Sequence, residues 1–326
     1  MKVIIPMAGL GTRLRPHTHS RPKPLLSVAG KPVLGHILDR LSSLKVDEYI
    51  FVVGYLGEQI EAYVSQNYAF PAQFVVQEEP RGQAHAIHLA RDLVDRPILI
   101  IFVDTIFEAD LSGLADASAD GLVFVKEVED PSRFGIALLD EGRVVRFIEK
   151  PDEPISHLAL IGMYYVRNSA LLLRCVEELI RREIRTKEEY FLADAFQLMV
   201  EKGAELQPAA VRVWQDCGKP ETLLETQRYL LEKEAGPTVE GEDSVIIPPV
   251  HLAPSVRLLR SIVGPYVSAA DGSVIEDSIV RDSIINEGVE IQNVSLERSL
   301  VGAHAALKGV IRQVNVGDFS RVEFGQ

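Results

Sequence analysis

After about Val239 the chain loses its helical periodicity. Apolar residues recur six apart instead: Val250, Val256 and Ile262, then Ile279, Ile285 and Ile291. Gly, Asp, Asn and Ser fill the intervals. A unit this short cannot bury an apolar face alone, so only the stacking of successive turns supplies a core. A parallel β-helix of very short strands meets that requirement, with a small β-sandwich as the competing arrangement. At roughly eighteen residues per turn the stretch holds about four or five coils. The phase slips between the two triplets, so the repeat is imperfect.

The first two-thirds read differently. Apolar or β-branched runs at 3–7, 49–53, 74–76 and 98–103 predict strands. Between them, Leu34, Ile37, Leu38 and Leu41 recur at helical spacing, and residues 57–65 and 84–93 also predict helices. Alternation of this kind implies an α/β domain with a mainly parallel sheet and helices on both faces. Right-handed crossovers then gather the strand ends, and any ligand, along one edge. From Gly121 the pattern turns to strands at 122–126, 135–139, 144–148 and 160–166, with Asp140-Glu141-Gly142 as a hairpin turn. Helices are predicted at 169–182, 191–202 and 220–233, the last opened by Pro220. Glu234-Ala235-Gly236-Pro237 ends that helix and predicts a boundary between domains at 1–236 and 237–326.

Composition narrows the function classes. Lys and Arg total 34 against 47 Asp and Glu in 326 residues, a formal charge of −13. No broad basic footprint for nucleic acid is expected from such a chain. No apolar run reaches membrane-spanning length, and the apolar stretch after Met1 is too short for a signal peptide. Cys175 and Cys217 are too few for a disulfide framework and lack metal-ligand spacing. A reducing, cytoplasmic compartment is the expectation.

The most informative stretch is Ala8-Gly9-Leu10-Gly11-Thr12-Arg13-Leu14-Arg15-Pro16, directly after the first strand. Two glycines let the backbone approach a ligand, and successive N–H groups can surround an anion. Arg13 and Arg15 add charge suited to phosphate. The dinucleotide fingerprint is excluded because Leu14 stands where its third glycine belongs. The P-loop is excluded because Gly30-Lys31 is followed by Pro32. A second basic segment, Arg21-Pro22-Lys23-Pro24-Leu25-Leu26, has prolines on both sides of its lysine, which predicts extended backbone.

Taken together, these two segments resemble the signature of the sugar-1-phosphate nucleotidylyltransferases. Further stretches resemble the same family: Gln77-Glu78-Glu79-Pro80-Arg81-Gly82, Asp104 after an apolar run, Phe134-Gly135, Glu149-Lys150-Pro151, Gly162, Glu189-Tyr190, and Trp214-Gln215-Asp216-Cys217-Gly218-Lys219-Pro220-Glu221. The resemblance covers about residues 1–233, and the tail resembles the hexapeptide-repeat β-helix of the long-form glucose-1-phosphate thymidylyltransferases. It implies a Rossmann-like mixed, mainly parallel sheet of the nucleotide-diphospho-sugar transferase type, followed by a short left-handed parallel β-helix. It also implies nucleotidyl transfer from a nucleoside triphosphate to a sugar-1-phosphate, most like dTTP and glucose-1-phosphate, with UTP or GTP as alternatives. Arg13, Lys23 and Lys150 then carry catalysis. Ala8, Gly9, Gly11, Thr12, Arg13, Gln77 and Gly82 bind the nucleotide. Gly135, Glu149, Lys150 and Gly162 bind the sugar phosphate. Asp104 and Asp216 hold Mg²⁺. A homo-oligomer without nucleic acid or membrane partners is expected.

Two positions depart from the family pattern: Val103 replaces a usual glycine and Gln83 a usual Thr or Leu. Trp214 is read as packing, and His85 and His88 as helix-face residues without metal partners. Other classes fit less well. A glycosyltransferase uses Asp-x-Asp, which Asp104-Thr105-Ile106 is not. A tail acyltransferase would draw on His251 or His304 in a short β-helix. A non-catalytic nucleotide-sugar-binding relative would not need the charged set.

Overall fold

The structure, a computed structural model, describes residues 1–309 apart from Arg133, Lys150, Asp152 and Pro154. Contacts divide the chain into one compact unit over Met1–Thr226 and a second that begins at Gln227.

The first unit is built on β1 (Lys2–Pro6), whose Val3, Ile4 and Ile5 are fully buried. An uninterrupted apolar run of this kind suits a strand covered on both faces. A hairpin of β2 (Ser27–Val28) and β3 (Lys31–Pro32) leads into α1 (Val33–Leu41), which buries Leu34, Ile37, Leu38 and Leu41. Then come β4 (Glu48–Val53), α2 (Gly57–Asn67), β5 (Ala72–Val76), α3 (Gln83–Leu89) and β6 (Ile98–Ile101). Strands β5, β4, β1 and β6 lie side by side and parallel.

The second half inverts this pattern. β7 (Thr105–Glu108) leaves the sheet, and β8 (Gly121–Glu127), β9 (Gly135–Asp140), β10 (Arg143–Glu149) and β11 (Leu158–Val166) follow. The long β11 runs antiparallel to β6, β8 and β9, so it joins the parallel half to the rest of a nine-stranded mixed sheet. Its register shifts between Leu160 and Tyr164, around Gly162, whose φ is +78°. A Cβ there would lie 2.7 Å from the Phe102 ring, so only glycine admits this kink. α4 (Ser169–Arg181) is capped by Asn168, whose Oδ1 accepts from Leu171 N at 3.2 Å. Together with α5 (Leu192–Glu201) it buries Leu172, Cys175, Val176, Leu179 and Phe196 against the sheet. Each such large apolar side chain contributes about 1.5–3 kcal/mol. β12 (Leu206–Ala210) extends the sheet beside β8. β13 (Val213–Asp216) pairs with β7 in a separate two-stranded ribbon, and α6 (Pro220–Lys233) follows.

The second unit is a left-handed parallel β-helix with three faces. One face stacks β14 (Val245–Ile246), β17 (Ile262–Val263), β20 (Ile279–Arg281) and β23 (Ser295–Glu297). The next stacks β15 (Val250–Leu252), β18 (Val267–Ala269), β21 (Ser283–Ile285) and β24 (Leu300–Val301). The third stacks β16 (Arg257–Leu259), β19 (Val274–Glu276), β22 (Glu290–Gln292) and β25 (Ala306–Lys308). Val263, Val267, Ile275, Val280 and Val289 are fully buried inside. At one corner the Ser261 and Ser278 hydroxyls accept backbone N–H groups from the following coil at 3.1 Å, so polar groups turned inward stay satisfied.

Several expectations need correction. The coil is shorter than eighteen residues: Val245 pairs with Ile262, Ile262 with Ile279 and Ile279 with Ser295, steps of 17, 17 and 16. The shortening slips the six-residue phase, so Ile279 is 38 % exposed and its neighbour Val280 fills the core. The apolar run 98–103 stops as a strand at Ile101, and Phe102 N–H bonds Gly162 O at 2.8 Å, where the register of β11 shifts. The helix expected over 84–93 ends at Leu89 and continues as a 3₁₀ turn, Arg91–Leu93. Lys23 is not extended: Lys23–Leu25 forms a 3₁₀ turn in which Leu26 N–H bonds Lys23 O. Pro24 falls at the second position of that turn, where no N–H is required. Among the described residues, no helix is long and apolar enough to cross a membrane.

Candidate functional site

Two adjoining clefts open in the first unit, of about 480 and 530 Å³. The loop after β1 forms the wall of the first. Gly11 adopts φ +62° and caps a 3₁₀ turn, Thr12–Leu14, while the Thr18 hydroxyl donates to Gly11 O at 2.9 Å. The loop thereby lines the cleft with Ala8, Gly9, Gly11, Thr12 and Arg13, and Lys23, Gln77 and Gly82 complete it. Gly135, Glu149, Gly162 and Asp216 line the second cleft. Arg13 and Asp104 line both. Lys150 lies outside the described residues.

The acidic pair is assembled by topology. Asp104 immediately precedes β7 and Asp216 ends β13, and Asp216 pairs with Thr105 in the antiparallel ribbon. Cys217 N–H also donates to Asp104 O at 2.7 Å, which ties the two acid-bearing segments together. Asp104 Oδ2 lies 3.2 Å from Lys23 Nζ. Burial pushes the Asp104 carboxyl up, but the Lys23 ammonium and the Arg13 guanidinium hold it below the usual carboxylate range. Asp216 Oδ1 accepts Gly218 N–H at 2.7 Å. A Cβ on Gly218 would lie 3.2 Å from Arg13 Nη2, so the guanidinium reaches over this turn beside Asp216.

These residues bear on cation binding. Among the described residues, no group of three or more His, Cys, Asp or Glu side chains could hold a metal ion. Two carboxylates remain, each with one oxygen engaged by Lys23 or Gly218 and a second beyond those contacts. Such a donor set suits Mg²⁺ completed by water and phosphate oxygens.

On the sugar side, Gly135 faces Glu149 across the β9–β10 ladder, and a Cβ on it would lie 2.7 Å from Glu149 Oε2. The Phe134 ring meets Trp214 edge to face at 4.8 Å, and both line the second cleft. Val103 is 6 % exposed and lines the first cleft beside Asp104.

Three residues named in the sequence without a site role also belong here. Gln83 and Glu189 line both clefts, and Gln83 Oε1 lies 3.4 Å from Leu192 N. Glu189 and Gln83 come from segments far apart in sequence, so no local pattern announces their meeting. His85, read as a helix-face residue, places Nδ1 2.9 Å from Gln77 Nε2.

A sequence profile described as nucleotidyl transferase matches residues 2–233. A glucose-1-phosphate thymidylyltransferase of Streptomyces antibioticus is 30 % identical over 327 residues, covering 96 % of this chain and 90 % of the relative. A UTP–glucose-1-phosphate uridylyltransferase of Haloferax volcanii is 33 % identical over 242 residues, covering 72 % of this chain and 98 % of the relative. The crystal structure of a UDP-glucose pyrophosphorylase complexed with UDP-glucose superposes with a TM-score of 0.60 at 22 % identity, over 72 % of this chain and 99 % of that one. At that identity the superposition speaks to the fold alone.

Proposed function

The chain belongs to the nucleotidyl transferase family, and from that premise we infer that it joins dTTP to glucose-1-phosphate, releasing pyrophosphate. The coarser activity is that of a sugar-1-phosphate nucleotidylyltransferase. The observation that supports it best is the paired cleft: a glycine-rich loop with Arg13 and Lys23 on one side, Gly135, Glu149 and Gly162 on the other, and Asp104 reaching both. Relatives named for thymidylyl and for uridylyl transfer both match, so UTP is the second reading for the nucleotide.

In the proposed reaction an oxygen of the sugar phosphate attacks the α-phosphorus in line. A phosphorus–oxygen bond forms to the sugar phosphate, and the α–β bridging bond breaks. The nucleophile is already an anion, so no general base is needed. The protein must bring two anions together and offset their repulsion. Backbone N–H groups around Gly9, Gly11 and Thr12 would cradle the triphosphate. Arg13 would neutralise charge on the leaving pyrophosphate, Lys23 would face the α-phosphate, and Lys150 the sugar phosphate. Gln77 and Gly82 would meet the base, and Glu149 a sugar hydroxyl. Asp104 and Asp216 would hold Mg²⁺, which when bound offsets phosphate charge and orients the phosphates.

We assign this chemistry to residues 1–236. The second domain, assigned to residues 237–326, serves stability and assembly of a homo-oligomer in this reading, and the compartment is the cytoplasm. Pyrophosphate release measured over a matrix of nucleoside triphosphates and sugar-1-phosphates tests the substrate assignment. Turnover strongest with dTTP and glucose-1-phosphate is the expected result. A clear preference for another pair replaces the substrates, and no release with any pair removes the activity.

A further inference from the structure

Gln77 is 4 % exposed yet lines the first cleft. Its Nε2 lies 3.2 Å from Gly82 O and 2.9 Å from His85 Nδ1. A backbone carbonyl only accepts, so the amide end facing Gly82 is the NH₂ end. That NH₂ has two hydrogens. Gly82 O takes one, and His85 Nδ1 takes the other when the ring carries its proton on Nε2. Burial, with the positive charge of Arg81 and His88 behind it and only Glu79 opposing, holds the His85 imidazole below its usual range. A neutral ring is therefore the state at neutral pH, and a proton on Nδ1 would aim a donor at a donor. No hydrogen bond among the described residues reaches Gln77 Oε1. The side chain thus offers the cleft an acceptor and no donor.

We infer that His85 is a positioning residue that locks Gln77 as an acceptor-only reader, so the site takes nucleotides whose base carries a ring N–H on its pairing edge. Uracil and thymine carry that hydrogen on N3, and guanine carries it on N1. Cytosine N3 and adenine N1 are bare lone pairs, which Oε1 would repel. The inference rests on the reading of Gln77 as facing the base. It deepens that reading, because it gives the amide one orientation and names the residue that enforces it. A site whose buried polar group is left unpaired by the wrong ligand can discriminate strongly, by about 10⁴–10⁵ at best.

The experiment compares UTP with CTP and GTP with ATP, pairs that differ at this edge, both in equilibrium binding and in pyrophosphate release. The expected result is at least about 10²-fold preference for the N–H-bearing member of the better-bound pair. His85→Leu removes the acceptor for the second hydrogen, and should raise KM and shrink that preference about tenfold with kcat little changed. His85→Asn places a carbonyl oxygen where Nδ1 was, and should restore the preference. Equal binding of the two members by the unmodified protein overturns the inference, as does a folded His85→Leu variant with an unchanged preference. Should His85→Leu not fold, ¹⁵N NMR of the His85 ring decides: an unprotonated Nδ1 supports the lock, and a protonated Nδ1 overturns it. Selective binding without turnover would leave this inference standing and remove the transferase reading.

Discussion

The Lys23 ammonium sits 3.2 Å from Asp104 Oδ2, so a cation offered to phosphate is already paired with a carboxylate offered to metal. Burial alone would raise the Asp104 carboxyl, and Lys23 with Arg13 reverses that. A carboxyl whose folded pKa lies below its unfolded value contributes stability above the unfolded value and loses it as pH falls through the folded one. With Lys23→Met, the burial effect loses its main opponent and Asp104 takes up its proton at higher pH. The acid limb of the kcat/KM profile should therefore move to higher pH, beyond the general loss of rate. A profile whose acid limb stays where it was would show that Lys23 does not control Asp104.

Gly9 and Gly11 share a loop but differ in what surrounds them. A Cβ on Gly11 would meet Thr18 Cγ2 at 3.0 Å and Lys23 Cβ at 3.1 Å, at φ +62°. Gly11→Ala should cost about 1–2 kcal/mol from the left-handed backbone alone and displace Lys23, lowering both thermal midpoint and turnover. A Cβ on Gly9 meets nothing within 4 Å. Gly9→Ala should leave the midpoint unchanged and raise KM for the triphosphate, because the methyl group enters the space assigned to phosphate. Paired melting curves and kinetics would separate the two, and equal losses of stability would contradict this division.

Asp216 tests the metal assignment with little structural disturbance. An amide at that position keeps an oxygen for Gly218 N–H, which now bonds Oδ1 at 2.7 Å. Asp216→Asn should therefore melt like the unmodified protein and lose about 10²–10³ in rate, the scale of one removed electrostatic contact. Asp104→Asn should lose as much. Excess chelator should stop turnover of the unmodified protein, and full activity in chelator would exclude the Mg²⁺ assignment.

The parts of this molecule legible in the sequence are those set by local pattern. Val3–Ile5, the Leu34–Leu41 stripe and the stacked apolar residues of the tail show their burial through spacing. The loop Gly9–Arg13 shows its chemistry because its residues are contiguous. What long-range pairing creates is not legible in local pattern, and the joint role of Asp104 and Asp216 follows only from the family resemblance. Asp104 and Asp216 meet only because β7 and β13 form their own ribbon, and no periodicity encodes which strand leaves a sheet. His85 carries the same helical signal whether it faces solvent or Gln77. Lys23 reads as extended from its flanking prolines, yet Pro24 tolerates the second position of a 3₁₀ turn.

Cysteine reactivity offers a check on the packing of the first unit. Cys175 and Cys217 are buried free thiols. Burial pushes Cys175 up to about 11 and Cys217 up to about 12, the latter against the opposing effect of its contact with Thr226. Thiolate is the reactive form, so both should resist alkylation at pH 8 in the folded protein. Titration with a thiol reagent should find neither group before denaturant and both after it. Rapid modification of the native protein would mean that these side chains are not enclosed as described.

The β-helix depends on polar groups that its apolar ladder alone does not explain. Gln227, at the start of the second unit, is fully buried; its Nε2 donates to Tyr266 O at 2.9 Å and Ser283 O at 3.0 Å, and its Oε1 accepts from Ser268 Oγ. Beside it, Arg228 makes two hydrogen bonds to Asp282, a residue only 4 % exposed. Asp282 is buried but the Arg228 side chain is 43 % exposed, so removing the arginine leaves a buried carboxylate without its partner at less than the about 3–5 kcal/mol of a fully buried pair. Arg228→Met should therefore lower the thermal midpoint markedly, and Gln227→Leu should do likewise by leaving two carbonyls and a hydroxyl without their partner. The exposed pair Lys308–Glu290, at 3.7 Å, is the control: Lys308→Ala should change little, because solvent screens it. Calorimetry on the three variants reads the difference. Equal midpoints for Arg228→Met and Lys308→Ala would mean that the bond to Asp282 adds nothing to the stability of the coil.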